Sequence, residues 1–355
     1  MSATVAIPPA APAPVEAAPA ASVQPTLALE AINLTKEYGP VHAVENVSFT
    51  VAQGEIVGFL GPNGAGKSTT LRILSGLMAA TSGRAYVAGV SVAHFPDEVK
   101  RRLGYMPEHN PLPDEMRVVE YLKFRARLKE VPWRRIKARV GEVMELCDLR
   151  HKSRSLIGTL SKGYRQRVGI ADAILAEPQV ILMDEPTIGL DPHQILSIRR
   201  LINSLRGRHT VMLSSHILPE IELCCDRVII INQGRIVASG TSASLRREFL
   251  PRTEWRVVLQ GDIVAFEGLL REVNSGFQVG SRVAPDAEGF VELRLDGPSG
   301  NGSAGEEVLK AALARGAWRV REFAHVDPGL EQIFMAATKH GVDDALSTQA
   351  RLRKN

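Results

Sequence analysis

Eight residues, GPNGAGKS (Gly61–Ser68), constrain the fold of this chain more than any other feature. They match the pattern G-x-x-x-x-G-K-[ST], and they stand between an apolar run, EIVGFL, and a segment of helical periodicity, KSTTLRILSGLM. A glycine-rich loop in that setting turns backbone N–H groups and a helix N-terminus toward phosphate. The sequence therefore predicts a phosphate-binding loop, in which Lys67 neutralises the β- and γ-phosphates and Ser68 ligates Mg²⁺. The residues of this loop are Gly61, Pro62, Asn63, Gly64, Ala65, Gly66, Lys67, Ser68 and Thr69.

Two further apolar runs, QVILMD (Gln179–Asp184) and TVMLSS (Thr210–Ser215), predict buried strands. Because the strands alternate with helices, we expect an α/β fold with a parallel sheet covered on both faces. Asp184 and Glu185 end the second strand and His216 follows the third, where the crevice of such a sheet lies. We expect Asp184 to ligate Mg²⁺ and Glu185 to take a proton from the attacking water. His216 is predicted to sense the γ-phosphate and to orient that water.

Composition and periodicity divide the chain into regions. Residues 1–25 are rich in Ala and Pro, which predicts a disordered tail. Residues 27–250 carry the phosphate loop, and a mostly helical subdomain interrupts them at about 97–167. Residues 251–338 follow the order βαββαβ and end in a helix, which predicts a small α+β domain of the split-βαβ type. Residues 339–355 are predicted to form a charged, flexible tail.

Composition excludes several classes of protein. The three cysteines, Cys147, Cys224 and Cys225, have no spacing typical of a disulfide framework or a metal site, so a reducing compartment is favoured. The net charge of +4 is too weak to indicate a nucleic-acid partner. No apolar run approaches the roughly 18 residues that a membrane span needs. We therefore expect a chain that does not itself cross a bilayer.

The segment LSKGYRQRVG (Leu160–Gly169) predicts a second anion site. Ser161 is a good N-cap residue, and Gly163 lets another backbone approach closely. The helix that follows would point its N-terminus, which attracts anions, out of the helical subdomain. A second phosphate-binding terminus is useful if it serves a nucleotide that another copy of the chain holds.

Over about residues 27–245, these motifs resemble the ATPase subunits of ABC transporters. GPNGAGKS is similar to the Walker A loop, VILMDE to Walker B with its catalytic Glu, and LSKGYRQR to the signature, whose usual form is LSGGQ. GLD (Gly189–Asp191) resembles the loop that crosses the dimer, with Asp191 near the nucleotide. His216 is similar to the switch histidine, and Tyr38 to the aromatic residue that stacks on adenine.

The resemblance implies a P-loop NTPase (RecA-like) core with an antiparallel β subdomain and a helical signature subdomain. It implies binding and hydrolysis of ATP with Mg²⁺ by a head-to-tail homodimer or heterodimer. It further implies a separate transmembrane permease subunit and a place on the cytoplasmic face of the inner or plasma membrane. In the family, a short helix of that subunit docks where the helical subdomain joins the core, here near YMPEHNPL.

Two departures from the family pattern narrow the resemblance. Lys162 and Tyr164 stand where Gly and Gln are usual in the signature, and Glu108 stands at the position of the Gln loop. Both departures resemble the gliding-motility-type and multidrug-type branch, whose members are mostly exporters and often carry an extra C-terminal domain. Glu108 is expected to reach Mg²⁺ or the water through its oxygens.

Two alternatives to a transporter subunit stay open at this point. One is a soluble ABC ATPase of translation or repair, and the other is a regulatory module that binds ATP without turnover. From Asp97 to Arg167, 18 Lys and Arg stand against 10 Asp and Glu, a net +8. This charge is typical of a solvated helical surface, and it would also suit an anionic membrane leaflet or an acidic partner.

Overall fold

The computed structural model describes residues 26–250, 252–272, 277–298, 302–316, 318–326 and 329–338. The predicted tails, 1–25 and 339–355, lie outside these ranges. The elements up to the second anion site are β1 (Leu27–Tyr38), β2 (Val41–Ala52), β3 (Ile56–Leu60), α1 (Lys67–Leu74), β4 (Ser82–Val87), β5 (Val90–Ser91), α2 (Pro96–Arg102), β6 (Leu103–Met106), α3 (Val118–Leu128), α4 (Trp133–Leu146) and α5 (Lys162–Ile174). Two short 3₁₀ turns, Arg150–Lys152 and Ile157–Thr159, lie between α4 and α5.

The remaining elements are β7 (Val180–Asp184), α6 (Pro192–Ser204), β8 (Thr210–Ser215), α7 (Leu218–Glu222), β9 (Arg227–Asn232), β10 (Arg235–Gly240), α8 (Ser242–Phe249), β11 (Arg252–Gln260), α9 (Ile263–Glu272), β12 (Gln278–Arg282), β13 (Val291–Pro298), α10 (Gly302–Ala314), β14 (Arg319–Val326) and α11 (330–338). No helix among the residues that the structure describes is long and apolar enough to span a bilayer.

A six-stranded sheet in the order β10-β9-β3-β8-β7-β6 forms the centre of the molecule. Strands β3, β6, β7, β8 and β9 run parallel, and β10 pairs antiparallel with β9. Every residue of β3 and of β7 is buried, as continuous apolar runs of parallel strands predict. Along β3, Val57 and Phe59 belong to one apolar cluster, and Ile56 and Leu60 belong to the other. The sheet is therefore covered on both faces, and the predicted α/β class is confirmed.

An antiparallel sheet, in the order β2-β1-β4-β5, packs on one face of this core. It shares the apolar cluster of β3, through residues such as Leu29 and Val51, with the helix α1 that follows the phosphate loop. The antiparallel β subdomain is thereby joined to the nucleotide-binding loop by one continuous core. The loop between β3 and α1 is held between the two sheets.

The helical subdomain covers fewer residues than the predicted block at 97–167. Residues Leu103–Met106 form β6, which pairs with β7 at the edge of the central sheet, so that the helical insertion begins only after Met106. The four residues of β6 are too few for a periodic pattern, which explains the wrong boundary. Within the subdomain, Arg125 of α3 donates two hydrogen bonds of 2.9 Å to the Asp172 carboxylate of α5.

The C-terminal region forms a third sheet, β12-β13-β11-β14, which is antiparallel. Helices α9 and α10 complete the order βαββαβ, and this region has an apolar cluster of its own. The last helix, α11, departs from that arrangement. Its buried residues Leu330, Ile333 and Ala337 belong to the apolar cluster of the ATP-binding core, so α11 packs away from the third sheet.

Candidate functional site

The phosphate loop adopts a backbone that requires glycine. Gly64 and Gly66 have φ angles of +80° and +106°, a region that side chains disfavour. A methyl group on Gly66 would also collide with the carbonyl oxygen of Ala43 in β2. The antiparallel sheet therefore presses against the loop here. The result is a loop with open backbone N–H groups at the start of α1.

Lys67 is buried at the bottom of this loop. Its ammonium donates hydrogen bonds to the carbonyl oxygens of Gly61 at 2.8 Å and Pro62 at 3.3 Å. It also lies 3.3 Å from Oε1 of Glu185, and both side chains are only 6% exposed. A buried ammonium is tolerated because these three oxygens compensate its charge.

Asp184 is held by two hydroxyl groups. Ser68 Oγ donates to Asp184 Oδ1 at 3.1 Å, and Ser214 Oγ donates to the same oxygen at 2.6 Å. Asp184 and Ser214 are partners in the register of β7 and β8, which explains why they meet. Ser214 also accepts a hydrogen bond of 2.9 Å from the backbone N–H of Glu185. Sequence reasoning missed Ser214, whose signal was its place two residues before His216.

Glu185 and His216 form the outer part of the same chain of contacts. His216 Nδ1 lies 2.9 Å from Glu185 Oε2, so one carboxylate oxygen meets His216 and the other meets Lys67. Glu185 has a φ of +50°, a left-handed conformation that is costly for a residue with a side chain. The side chain is thus aimed by the backbone and by two partners at once.

Lys67, Ser68 and Glu185 border a cleft of about 320 Å³, whereas Asp184, Ser214 and His216 do not line it. That volume lies in the range of small-ligand sites. Glu108, in the loop after β6, lines the same cleft. Gly61 and Ala65 support the loop from behind and do not line the cleft. The lining residues are Ala43, Pro62, Asn63, Gly64, Gly66, Lys67, Ser68, Thr69, Glu108, Glu185 and Ile188.

Tyr38 lies at the end of β1 and does not line this cleft. Its side chain is about half exposed, and its hydroxyl donates to the Met78 sulfur at 2.9 Å. The Lys36 ammonium lies 5.3 Å from the centre of the ring. Tyr38 therefore presents an exposed aromatic ring. The nearby Lys36 ammonium makes this position favourable for a negatively charged ligand.

The signature residues lie apart from the cleft. Ser161 is the N-cap residue of α5, is exposed, and makes no capping hydrogen bond through its side chain. Gly163 is buried against the Gln194 side chain of α6, which would have to shift to admit a larger residue there. Asp191 caps α6, since its Oδ1 accepts from the Gln194 N–H at 3.0 Å. None of Ser161, Gly163 and Asp191 lines the cleft of the same chain.

The two unusual residues of the signature have contacts within their own chain. The Lys162 ammonium lies against the backbone of Gly189, where a side chain would collide with it. Tyr164 meets His151, whose Nε2 lies 3.0 Å from the Tyr164 hydroxyl. Lys152 and Arg167 lie over the same ring, at 5.4 Å and 5.6 Å from its centre. Tyr164 is therefore part of the packing of the helical subdomain.

The loop after β6 is tied to the signature helix by a contact that sequence reasoning did not find. Asn110 Nδ2 donates to Gln166 Oε1 at 2.7 Å, and Gln166 is buried in α5. A side chain at Gly169 would overlap Asn110. The segment that carries Glu108 is thereby linked to the helix that carries Ser161 and Gly163. Movement of one of these elements is expected to move the other.

Oxygen ligands for a divalent cation are limited to a small set. Among the described residues there is no cluster of three or more His, Cys, Asp or Glu that would hold a metal by itself. Ser68 Oγ and Asp184 Oδ1 are 3.1 Å apart, and both are hard oxygen ligands for a metal ion. Such a pair fits Mg²⁺, which usually takes one or two protein ligands together with substrate phosphates and water.

A glycine-rich loop between a parallel strand and a helix, a buried lysine and a carboxylate pair at the next strand end define a P-loop nucleotide-binding protein. The family model "ABC transporter" matches residues 44–188. The daunorubicin/doxorubicin resistance ATP-binding protein of Streptomyces peucetius is 31% identical over 330 residues, 93% of this chain and 98% of that protein. The chain belongs to the ATP-binding proteins of ABC transporters.

Other relatives and solved structures agree. The linearmycin resistance ATP-binding protein of Bacillus subtilis is 36% identical over 320 residues, 89% of this chain and all of that protein. The structure of an ATP-binding subunit of an ABC transporter superposes with a TM-score of 0.58 at 34% identity, covering 62% of this chain and 92% of its own. A dimeric ATP-binding cassette with ADP and Pi in a post-hydrolysis state gives a TM-score of 0.56 at 26% identity, covering 60% of this chain and 98% of its own.

The predicted family and activity are therefore confirmed. The protein is an ATPase that binds ATP and supplies the energy for transport through a membrane subunit. The alternative of a module that binds ATP without turnover is set aside on the same grounds.

Proposed function

We propose that the protein hydrolyses MgATP in a head-to-tail dimer and energises export through a separate permease. The observation that carries the proposal is the continuous chain of contacts from Ser68 through Asp184, Ser214 and Glu185 to His216. Relatives named for drug resistance and for Nod factor export support the export direction.

In the proposed reaction, Lys67 holds the β- and γ-phosphates, and Glu185 accepts a proton from the attacking water. Lys67 would leave Glu185 as the phosphates enter, which frees the carboxylate for the water. His216 would keep Glu185 in place through its 2.9 Å contact and sense the γ-phosphate. Ser68 and Asp184 would hold Mg²⁺, with Glu108 nearby, and the cation would neutralise charge on the phosphates.

The signature supplies the other half of the site in the partner copy. Ser161, Gly163 and Lys162 lie at an exposed helix N-terminus without a nucleotide cleft of their own. Such a terminus binds anions, so a partner's γ-phosphate is its natural ligand. Asp191, in the loop that touches Lys162 through Gly189, would cross the dimer beside it. Tyr38 would stack on adenine at the rim.

A purified full-length chain tests the cation part of this proposal. Phosphate release should require Mg²⁺ and stop with a chelator, and Ser68→Ala should raise the Mg²⁺ concentration needed for half-maximal turnover. Ser75→Ala, at the C-terminal end of the same helix, serves as the matched control because its hydroxyl bonds only to a backbone carbonyl. An unchanged Mg²⁺ requirement in Ser68→Ala would refute the ligand role of Ser68.

We further propose that the permease docks where α2, α3 and α5 meet. A cavity of about 490 Å³ lies there, and it is lined by Leu77 and Leu128, which are 64% and 57% exposed, and by Arg101. Lys129 lines the same cavity, and burial lowers the pKa of its ammonium while Asp172 opposes that shift. Apolar side chains between cations suit a short amphipathic helix of a membrane protein. The protein would then sit on the cytoplasmic face of the inner or plasma membrane.

Crosslinking in native membranes tests the docking site. A cysteine at His109 or Pro111, both exposed in the segment where the helical subdomain joins the core, should capture an integral membrane protein. Cys147 and Cys224 are buried, and Cys225, which is partly exposed, is replaced by Ser in all of these variants. Val264→Cys on the exposed side of α9 is the matched control. If His109→Cys and Val264→Cys recover only the same water-soluble proteins, the alternative of an ABC ATPase without a permease is favoured.

A further inference from the structure

The last helix of the chain, α11, is attached to the ATP-binding core. Leu330, Ile333 and Ala337 are each at most 1% exposed, and they belong to the same apolar cluster as Ile221 and Leu245. The spacing of three and four residues places them on one face of the helix. Met335, on another face, is 52% exposed. The helix therefore buries one complete stripe in the core that also supports the catalytic strands.

The start of α11 meets the short helix α7. Glu222, the last residue of α7, accepts a long hydrogen bond of 3.5 Å from the Leu330 N–H. The same carboxylate lies 3.8 Å from Arg246 of α8. A carboxylate at a helix N-terminus is favourable because the first N–H groups of the helix carry a partial positive charge. Glu222 thus joins α7, α8 and α11 at one point.

A neighbouring residue of α7 packs on the strand that leads into the phosphate loop. Ile221 is fully buried, and a methyl group on Gly58 of β3 would collide with it. A side chain at position 58 would therefore require the Ile221 side chain to move. Helix α7 thus contacts β3 through Ile221 and the start of α11 through Glu222.

The position of α7 bears directly on the catalytic histidine. His216 follows β8, and only Ile217 separates it from α7. The His216 side chain is 38% exposed, and its Nδ1 lies 2.9 Å from Glu185 Oε2. Little else among the described residues holds this histidine. Its backbone is placed by β8 before it and by α7 after it.

We infer that α11 is a positioning element for His216, through α7, and that the C-terminal region thereby sets the rate of ATP hydrolysis. Ile333 and Leu330 would act as positioning residues, and neither would touch the nucleotide. Since β14 ends only a few residues before α11 begins, a displacement of the third sheet would be transmitted through α11 to α7. The inference rests on the role proposed above for His216.

The test uses the full-length chain with Ile333→Ala. We expect kcat for ATP to fall by roughly tenfold, because small displacements of catalytic groups have effects of this order or larger. The KM for ATP and the affinity for a fluorescent ATP analogue should stay within about twofold, because the phosphate loop is intact. Hydrogen exchange of the α7 backbone amides should become faster, while exchange in α1 should not change.

Two matched variants separate positioning from a general loss of stability. Met335→Ala makes the comparable truncation on the exposed side of the same helix, and it should leave kcat and α7 exchange at parental values. Ile333→Val, which keeps most of the buried side chain, should restore at least half of the parental kcat. Equal losses of kcat in Ile333→Ala and Met335→Ala would overturn the inference, as would faster α7 exchange with parental kcat.

A His216→Ala variant distinguishes failure of this inference from failure of the proposed function. If His216→Ala keeps the parental kcat, the role proposed for His216 is wrong and the inference falls with it. If His216→Ala is impaired while Ile333→Ala is not, only the inference is overturned. In the double variant, the effect of Ile333→Ala should largely disappear, because both changes act on the same group.

Discussion

The two halves of the nucleotide site differ in how complete they are within one chain. On the phosphate-loop side, Lys67, Asp184 and Glu185 are buried and joined by direct contacts of 2.6–3.3 Å with neighbouring oxygens and with His216. On the signature side, Ser161 is exposed, and its side chain caps nothing. The first half is therefore built by folding alone. In the proposed head-to-tail dimer, the second half receives its ligand from the partner copy, so that folding prepares ATP binding and dimerisation completes the site for hydrolysis.

The largest effect should come from a change on the phosphate-loop side, which is complete within one chain. Glu185→Gln is expected to lower turnover by about 10²–10⁴-fold, or roughly 3–5 kcal/mol, because a positioned base is lost. ATP should still bind, and the loss of a negative charge should favour the closed dimer in size-exclusion chromatography. Glu248→Gln on the exposed side of α8 is the matched control. Parental turnover in Glu185→Gln would mean that another group is the base.

Ser161→Arg should separate the two halves. We expect the monomer to bind ATP normally and the turnover that depends on dimers to be blocked, because the arginine fills the place of a partner's phosphate. Mixing with Lys67→Ala sharpens the test, since a head-to-tail heterodimer then has one doubly damaged site and one intact site. Some activity should return in the mixture. Loss of ATP binding in Ser161→Arg alone would place Ser161 in the cleft of its own chain.

Lys67→Ala should weaken the binding of MgATP itself. Hydrogen bonds from a charged group are worth about 1.5–3 kcal/mol, so the affinity for MgATP should fall on the order of 10- to 100-fold. Equilibrium titration with a fluorescent ATP analogue measures this in the monomer. Lys123→Ala, at an exposed position of α3, is the control. An unchanged affinity would contradict the phosphate-cradle role of Lys67.

Tyr38→Ala should have the smallest effect of the series. Ring stacking is worth about 0.5–1.5 kcal/mol, so a loss of affinity of roughly two- to tenfold is expected. Tyr38→Phe removes the hydrogen bond to Met78 and keeps the ring, so it should bind ATP like the parent. If both variants lose the same affinity, the hydroxyl contact and not the stacking of the ring is responsible.

The phosphate-loop side of the site was also the side whose residues could be predicted from the sequence. Lys67, Ser68, Asp184, Glu185 and His216 each follow a strand whose apolar run is plain in the sequence, and parallel strands bring their ends to one edge. Ser214 was missed because its role depends on the register between β7 and β8, which no local pattern contains. The contact of Asn110 with Gln166 was missed for the same reason.

Longer-range packing was harder to predict. β6 has only four residues, so neither its place in the central sheet nor the later start of the helical insertion could be read from periodicity. The segment LEQIFMAA predicted a helix, but an apolar stripe does not say which core it enters. The structure shows that Leu330 and Ile333 enter the core of the ATP-binding region. The region predicted as one small domain, 251–338, therefore includes a helix, α11, that packs on the ATP-binding core.

The buried pair of Lys67 and Glu185 has a consequence for the protein during starvation. A site that was built only for ATP would leave an uncompensated ammonium inside the fold whenever the nucleotide was absent. Here Glu185 and two loop carbonyls take the place of the phosphates at 2.8–3.3 Å. We therefore expect the empty protein to keep its fold while cellular ATP is depleted, and to be ready for use as soon as nucleotide returns.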